Sequence, residues 1–166
     1  MTAQFSNTIV VDGQEQQLLA DPMAGFFSKY SRPPFCATSS ANRRGYTTEW
    51  EVRGKSLYLV GLEGVTCVRK ADAGVAPGSW CKVGHRGPCI HQAVSLADLT
   101  GSVPNGVFAD WVSEELRLAS GDIVKYVHAG WGSKFEREEY LTFRVGRLVR
   151  RRRPGMRRTL ENLLSI

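Results

Sequence analysis

Three of the four cysteines and two of the three histidines fall between residues 64 and 106. Cys67 stands upstream of Cys81-Lys-Val-Gly-His85-Arg-Gly-Pro-Cys89-Ile-His91. Thiolates and imidazoles suit zinc, which proteins hold tetrahedrally with four such ligands. Gly84, Gly87 and Pro88 would let the backbone turn around an ion. A metal would also order a long stretch that is short of apolar residues. The spacing is not that of a standard knuckle, because no Cys-x-x-Cys pair is present. The competing reading is structural, with Cys67 a small buried residue and the histidines in a loop. A disulfide such as Cys81–Cys89 would need an oxidising compartment; in the cytoplasm, the default location here, the thiols would be reduced or bound to metal.

A second group of polar residues sits in Tyr126-Val-His128-Ala-Gly130-Trp131-Gly132-Ser133-Lys-Phe-Glu136. His128, Ser133 and Glu136 offer a base, a nucleophile and an orienting carboxylate, the ingredients of a small hydrolase or transferase. No Gly-x-Ser-x-Gly elbow surrounds Ser133. The stretch is therefore expected to be structural or to bind a partner, with Tyr126 and Trp131, together with Trp111, as binding residues.

The third group is cationic. Residues 147–158 contain seven arginines and no acid, while the rest of the chain carries 15 basic and 16 acidic residues. The whole net charge of +6 therefore belongs to one end of a near-neutral body. Arg150, Arg151, Arg152 and Arg153 could contact phosphates and give salt-sensitive nucleic-acid binding. The alternatives are a solvated tail, or arginines paired with acids such as Glu114-Glu115 and Glu136–Glu139.

The elements that must carry these groups are mostly strands. Asp12-Gly13 divides residues 8–20 into a short hairpin of the type I′ kind. Residues 22–30 suggest a short helix with Asp21 as its N-cap and Pro22 as its first residue. Tyr46, Thr48, Trp50 and Val52 alternate with Thr47, Glu49 and Glu51, and Leu57–Val60 returns after a turn at Arg53–Ser56. Further hairpins are expected at Glu115–His128, pivoting on Ala119-Ser120-Gly121-Asp122, and at Glu139–Val149, pivoting on Val145-Gly146. Residues 64–106 read as a long excursion with one helical turn near Leu96–Leu99. The expected class is mainly β, with antiparallel hairpins forming a sandwich or open barrel and one or two short helices. Residues 1–149 would form one domain, and 150–166 an arginine-rich segment with a short helix over Met156–Ile166.

Two stretches carry a family resemblance. One is Arg44-Gly45-Tyr46-Thr47-Thr48-Glu49-Trp50-Glu51-Val52, continuing to Leu57–Leu62. The other is Val107-Phe108-Ala109-Asp110-Trp111, then Leu116-Arg117-Leu118, then Tyr126-Val127-His128-Ala129-Gly130, Ser133 and Glu136. In these the chain resembles a family of small uncharacterised bacterial proteins, over about a third of its length. The resemblance implies a β-rich fold and no particular reaction. The cysteine-containing excursion and the arginine-rich end depart from the family pattern.

No phosphate-binding loop, dinucleotide fingerprint or acidic metal motif is present. No run approaches the roughly 18 apolar residues that cross a bilayer. The sequence therefore favours a non-enzymatic, immunity- or inhibitor-like protein that recognises a protein partner, of bacterial or bacteriophage type. Nucleic-acid binding through the arginines is the alternative, followed by a hydrolase or transferase centred on His128. Zinc is the one cofactor that the residues suggest.

Overall fold

Alternation of apolar and polar residues builds the sheet. On β1 (Asn7–Val11) the side chains of Asn7, Ile9 and Val11 are buried, and on β3 (Tyr46–Arg53) so are Tyr46, Thr48 and Trp50. The computed structural model describes residues 2–69 and 89–154, with the backbone alone for Val68, Arg69, Cys89 and Ile90. The remaining elements are β2 (Gln14–Leu18), α1 (Ala24–Lys29), β4 (Ser56–Arg69), β5 (Cys89–Ser95), α2 (Leu96–Thr100), β6 (Val107–Phe108), β7 (Glu115–Lys125), β8 (Lys134–Arg144) and β9 (Arg147–Arg152). The expected mainly β class with two short helices is what these elements form.

Strands β3-β1-β2-β7-β8-β9-β4 follow one another side by side, and β4 pairs back onto β3. The result is a ring of strands rather than a regular barrel. All pairings are antiparallel except that of β1 with β3. Buried Asn7 secures that exception: its side-chain oxygen accepts the Thr48 N–H at 2.9 Å, and its amide donates to the Ala20 carbonyl at 2.7 Å. The β9–β4 seam is the thinnest, with Ser56 opposite Arg147 and hydrogen bonds from Leu57 N–H to Gly146 and from Leu148 N–H to Lys55. Ile9, Leu18, Trp50, Leu59, Leu118 and Phe143, each at most 1% exposed, fill the interior.

Several expectations are corrected. Gly121 is not a hairpin pivot: β7 runs through it to Lys125, and its φ of +80° lies where the register shifts between Ser120 and Ile123. That is a bulge, and glycine supplies its left-handed backbone without steric cost. The chain reverses later, between Tyr126 and Ser133. The N-cap of α1 is Met23, because the Asp21 carboxylate instead accepts the Tyr46 hydroxyl at 2.6 Å and faces Arg44 at 3.6 Å. Much of the expected excursion is sheet: β4 continues to Arg69 and β5 pairs with it from Ser95 back to Cys89. Helix α2 starts at a capping box of Ser95 and Asp98. Arg150, Arg151 and Arg152 belong to β9 and so to the sheet. The expected helix at Met156–Ile166 lies outside the described residues.

Both expected two-residue turns are present, with φ of 53° and 74° at Asp12-Gly13 and 48° and 72° at Val145-Gly146. A β-branched residue in that region is strained, and Val145 is 61% exposed, so no packing offsets the strain. Val145→Asn should therefore raise unfolding stability by about 1 kcal/mol, read as a higher urea midpoint with an unchanged slope. A lower midpoint would show that the valine side chain stabilises the turn.

Candidate metal centre

Beyond Leu62, β4 is flanked on both edges. On one edge β5 lies antiparallel, with Cys67 opposite His91. On the other, Phe35 bridges Thr66, the Cys36 N–H donates to the Val65 carbonyl at 2.9 Å, and the Cys67 N–H donates to the Pro34 carbonyl at 3.1 Å. Cys36 thus lies opposite Val65, two residues from Cys67. Side chains two apart on a strand share a face, and directly opposed residues share it too. Strand geometry alone therefore brings Cys36, Cys67 and His91 onto one side of the sheet.

Two glycines permit the close approach. A Cβ on Gly45 would stand 2.4 Å from the Cys36 carbonyl oxygen, and one on Gly64 would stand 2.6 Å from the Phe35 ring. Gly45 also has a φ of +78°, so a side chain is excluded there twice over. The Gly45 of the Arg44-Gly45-Tyr46 motif therefore seats Cys36 against β4.

One ligand atom from each of Cys36, Cys67 and His91 lies within 4.8 Å of the others. Ligands around a tetrahedral zinc stand about 3.8 Å apart, so small side-chain rotations suffice to close on an ion. Cys36 and Cys67 are buried at 1% and 7% exposure and pack with Val65, while His91 lies nearer the solvent. Two sulfurs and one imidazole nitrogen are three of the four ligands that a structural zinc takes.

Of the metal ligands expected from sequence, the structure brings Cys67 and His91 together and adds Cys36. Cys36 is more than thirty residues from the rest in the chain, with no spacing signal to join it to them. Cys81, His85 and the Cys89 side chain lie outside the described residues. Cys67 is disulfide-bonded, where the sequence favoured reduced thiols. Beside the group, a cleft of about 510 Å³ opens between β4, β5, α2 and residues 38–47, lined in part by Thr47, Glu63 and Asp98.

The other candidate groups have different surroundings. The Ser133 hydroxyl accepts the Val127 N–H at 3.0 Å, and a Glu136 oxygen accepts the Asp122 N–H at 3.0 Å. His128 stands edge-on to Tyr126, with ring centroids 4.6 Å apart. Ser133 thus closes its own turn and Glu136 holds the β7 bulge. Trp111 donates its indole N–H to the Pro22 carbonyl and packs against Phe26 and Trp50. Trp131 is half-buried beneath the Arg44 guanidinium. Tyr126 is 51% exposed and ends a run, Gly121–Tyr126, in which every residue is exposed.

Arg151 and Arg152 of β9, and Arg153 just beyond it, are ion-paired. Arg151 bonds Asp12 and Glu139, Arg153 bonds Glu139 at 3.1 Å, and Arg152 bonds Glu115 at 3.1 Å while lying over the Tyr140 ring. Arg150 joins no ion pair among the described residues. Glu139 is the anchor, only 5% exposed. Burial pushes its carboxyl up, but hydrogen bonds from Arg151, Gln16 and Arg153 outweigh this and hold it below the ordinary range. No family model, curated protein or solved structure matches the chain.

A carboxyl with a depressed folded pKa contributes stability above its unfolded value, near 4.3, and loses it as the pH falls through the folded value. Glu139→Gln should lower stability at pH 7 by about 2 kcal/mol and flatten the fall in stability below about pH 4, read from urea midpoints across a pH series. An unchanged acid limb would assign that fall to other groups.

Proposed function

We propose that the chain is a non-enzymatic binding protein that takes a protein partner at the outer end of the β7–β8 ribbon. One observation carries this: Ile123, Val124 and Tyr126 are 50%, 64% and 51% exposed within a stretch where both faces of the strand meet solvent. A two-stranded ribbon is marginal by itself, and apolar residues on both of its faces favour a covering surface. The engagement of Ser133 and Glu136 with backbone N–H groups supports binding over hydrolysis at His128. The ion pairs of Arg151, Arg152 and Arg153 weaken the case for nucleic acid, since paired guanidiniums attract phosphate less. Membership of the bacterial family is part of the same proposal, supported by the burial of Tyr46, Trp50, Leu116 and Leu118 from its two stretches.

A photo-crosslinking residue at Val124 should trap one discrete protein adduct in cells, abolished by Ile123→Asp. The same residue at exposed Val145, on the β8–β9 turn, should trap none. Equal adducts at both sites would contradict the assignment, and salt-sensitive capture of nucleic acid would favour the arginines.

The convergence of Cys36, Cys67 and His91 supports a second reading, compatible with the first: zinc clamps the 34–36 stretch to β4 and β5. This reading fits the cytoplasmic location expected from the sequence, where thiols are kept reduced. The full chain, purified without chelator under a reducing dithiol, should carry about one zinc, and His91→Ala should weaken zinc binding by at least about tenfold. Less than about half an equivalent in the parent protein would overturn the zinc clamp.

A further inference from the structure

We propose that the Cys36–Cys67–His91 centre is a redox-controlled zinc site, in which the Cys67 disulfide and the zinc-bound thiolate are alternative states of one sulfur. The proposal rests on the zinc reading above and adds its regulation. Two observations meet at Cys67. Its sulfur belongs to a three-ligand group confined within 4.8 Å, and the same sulfur is disulfide-bonded. Zinc takes the thiolate, whereas a sulfur in a disulfide has no such charge to donate. The two states therefore exclude each other. Cys36 is not the disulfide partner of Cys67, yet its sulfur stands in the same ligand group.

The oxidant is a peroxide. One thiolate attacks hydrogen peroxide: an S–O bond forms, the O–O bond breaks, and hydroxide leaves to be protonated to water. A second thiolate attacks the resulting sulfenic sulfur: the S–S bond forms, the S–O bond breaks, and a second water is released. Two electrons pass from two thiolates to the peroxide, and two protons from solvent complete the two waters. Zinc then loses the Cys67 sulfur and leaves a centre that no longer offers enough ligands. A small dithiol reverses the change: it is oxidised to its own disulfide, and the two protein thiols lose their protons again on rebinding zinc.

Position favours exchange. His91 lies nearer the solvent than either described cysteine, so peroxide and leaving zinc have a route on that side. The centre joins the 34–36 stretch to β4 and β5, so metal release would change how firmly that stretch is held.

The test uses the reduced full chain loaded with zinc, a chromophoric zinc indicator and a thiol count before and after hydrogen peroxide. Release of about one zinc per chain with loss of about two thiols, both restored by dithiothreitol and zinc, is the expected result. His91→Ala should lose its two thiols at a similar rate while releasing little zinc, because little is bound. Cys36→Ser, with fold checked by circular dichroism, should bind zinc at least about tenfold more weakly. Two thiols lost with the zinc retained would overturn redox control, as would no thiol loss under peroxide. Failure of the reduced parent chain to bind zinc would overturn the zinc reading itself and this inference with it.

Discussion

One strand holds the structure together. β4, 14 residues long, pairs with β3, β5, β6 and β9, and beyond Gly64, where β3 leaves off, it takes the 34–36 stretch. Its first half closes the ring of strands, with Leu57 and Leu59 fully buried. Its second half carries Cys67 between two partners that come from distant parts of the chain. Fold closure and the candidate metal group are thus two consequences of the same hydrogen-bonded ladder. A change that frees the end of β4 would scatter the ligands while the ring keeps its core.

The cationic end looks different in the structure than as a string of letters. Near-complete burial of Glu139 would be costly without counter-charges, and Arg151 and Arg153 provide them. β9 therefore sets Arg151 against the buried acid of β8, with Asp12 joining the same arginine and Glu115 pairing Arg152 at the surface. This is local charge balance within a sheet. It leaves the apolar end of the β7–β8 ribbon as the surface whose exposure lacks an internal explanation.

Strand alternation and two turns were legible in the sequence, because period-two burial and the left-handed residues of Asp12-Gly13 and Val145-Gly146 are local signals. Gly121 misled for a local reason: a glycine with positive φ serves a bulge as well as a turn, and only the pairing across to β8 distinguishes them. Asp21 was similarly ambiguous, since a carboxylate before a helix can cap it or, as here, serve the distant Tyr46 and Arg44. Cys67 and His91 were suspected as ligands from composition. Cys36 was not, because its approach depends on Gly45 and Gly64 leaving room for backbone and ring, a steric condition invisible in any spacing rule. Trp111 was expected as a binding residue; its indole is tied to Pro22 and its ring packs against Phe26.

The account stands or falls on whether the sulfur and nitrogen ligands at the end of β4 bind one ion. X-ray absorption at the zinc edge of the reduced full chain reads that ligand set directly. The account predicts a mixed first shell, with sulfur near about 2.3 Å and nitrogen near about 2.0–2.1 Å, that loses sulfur amplitude in Cys67→Ser. A shell of oxygen and nitrogen alone, or one unchanged by Cys67→Ser, would contradict it.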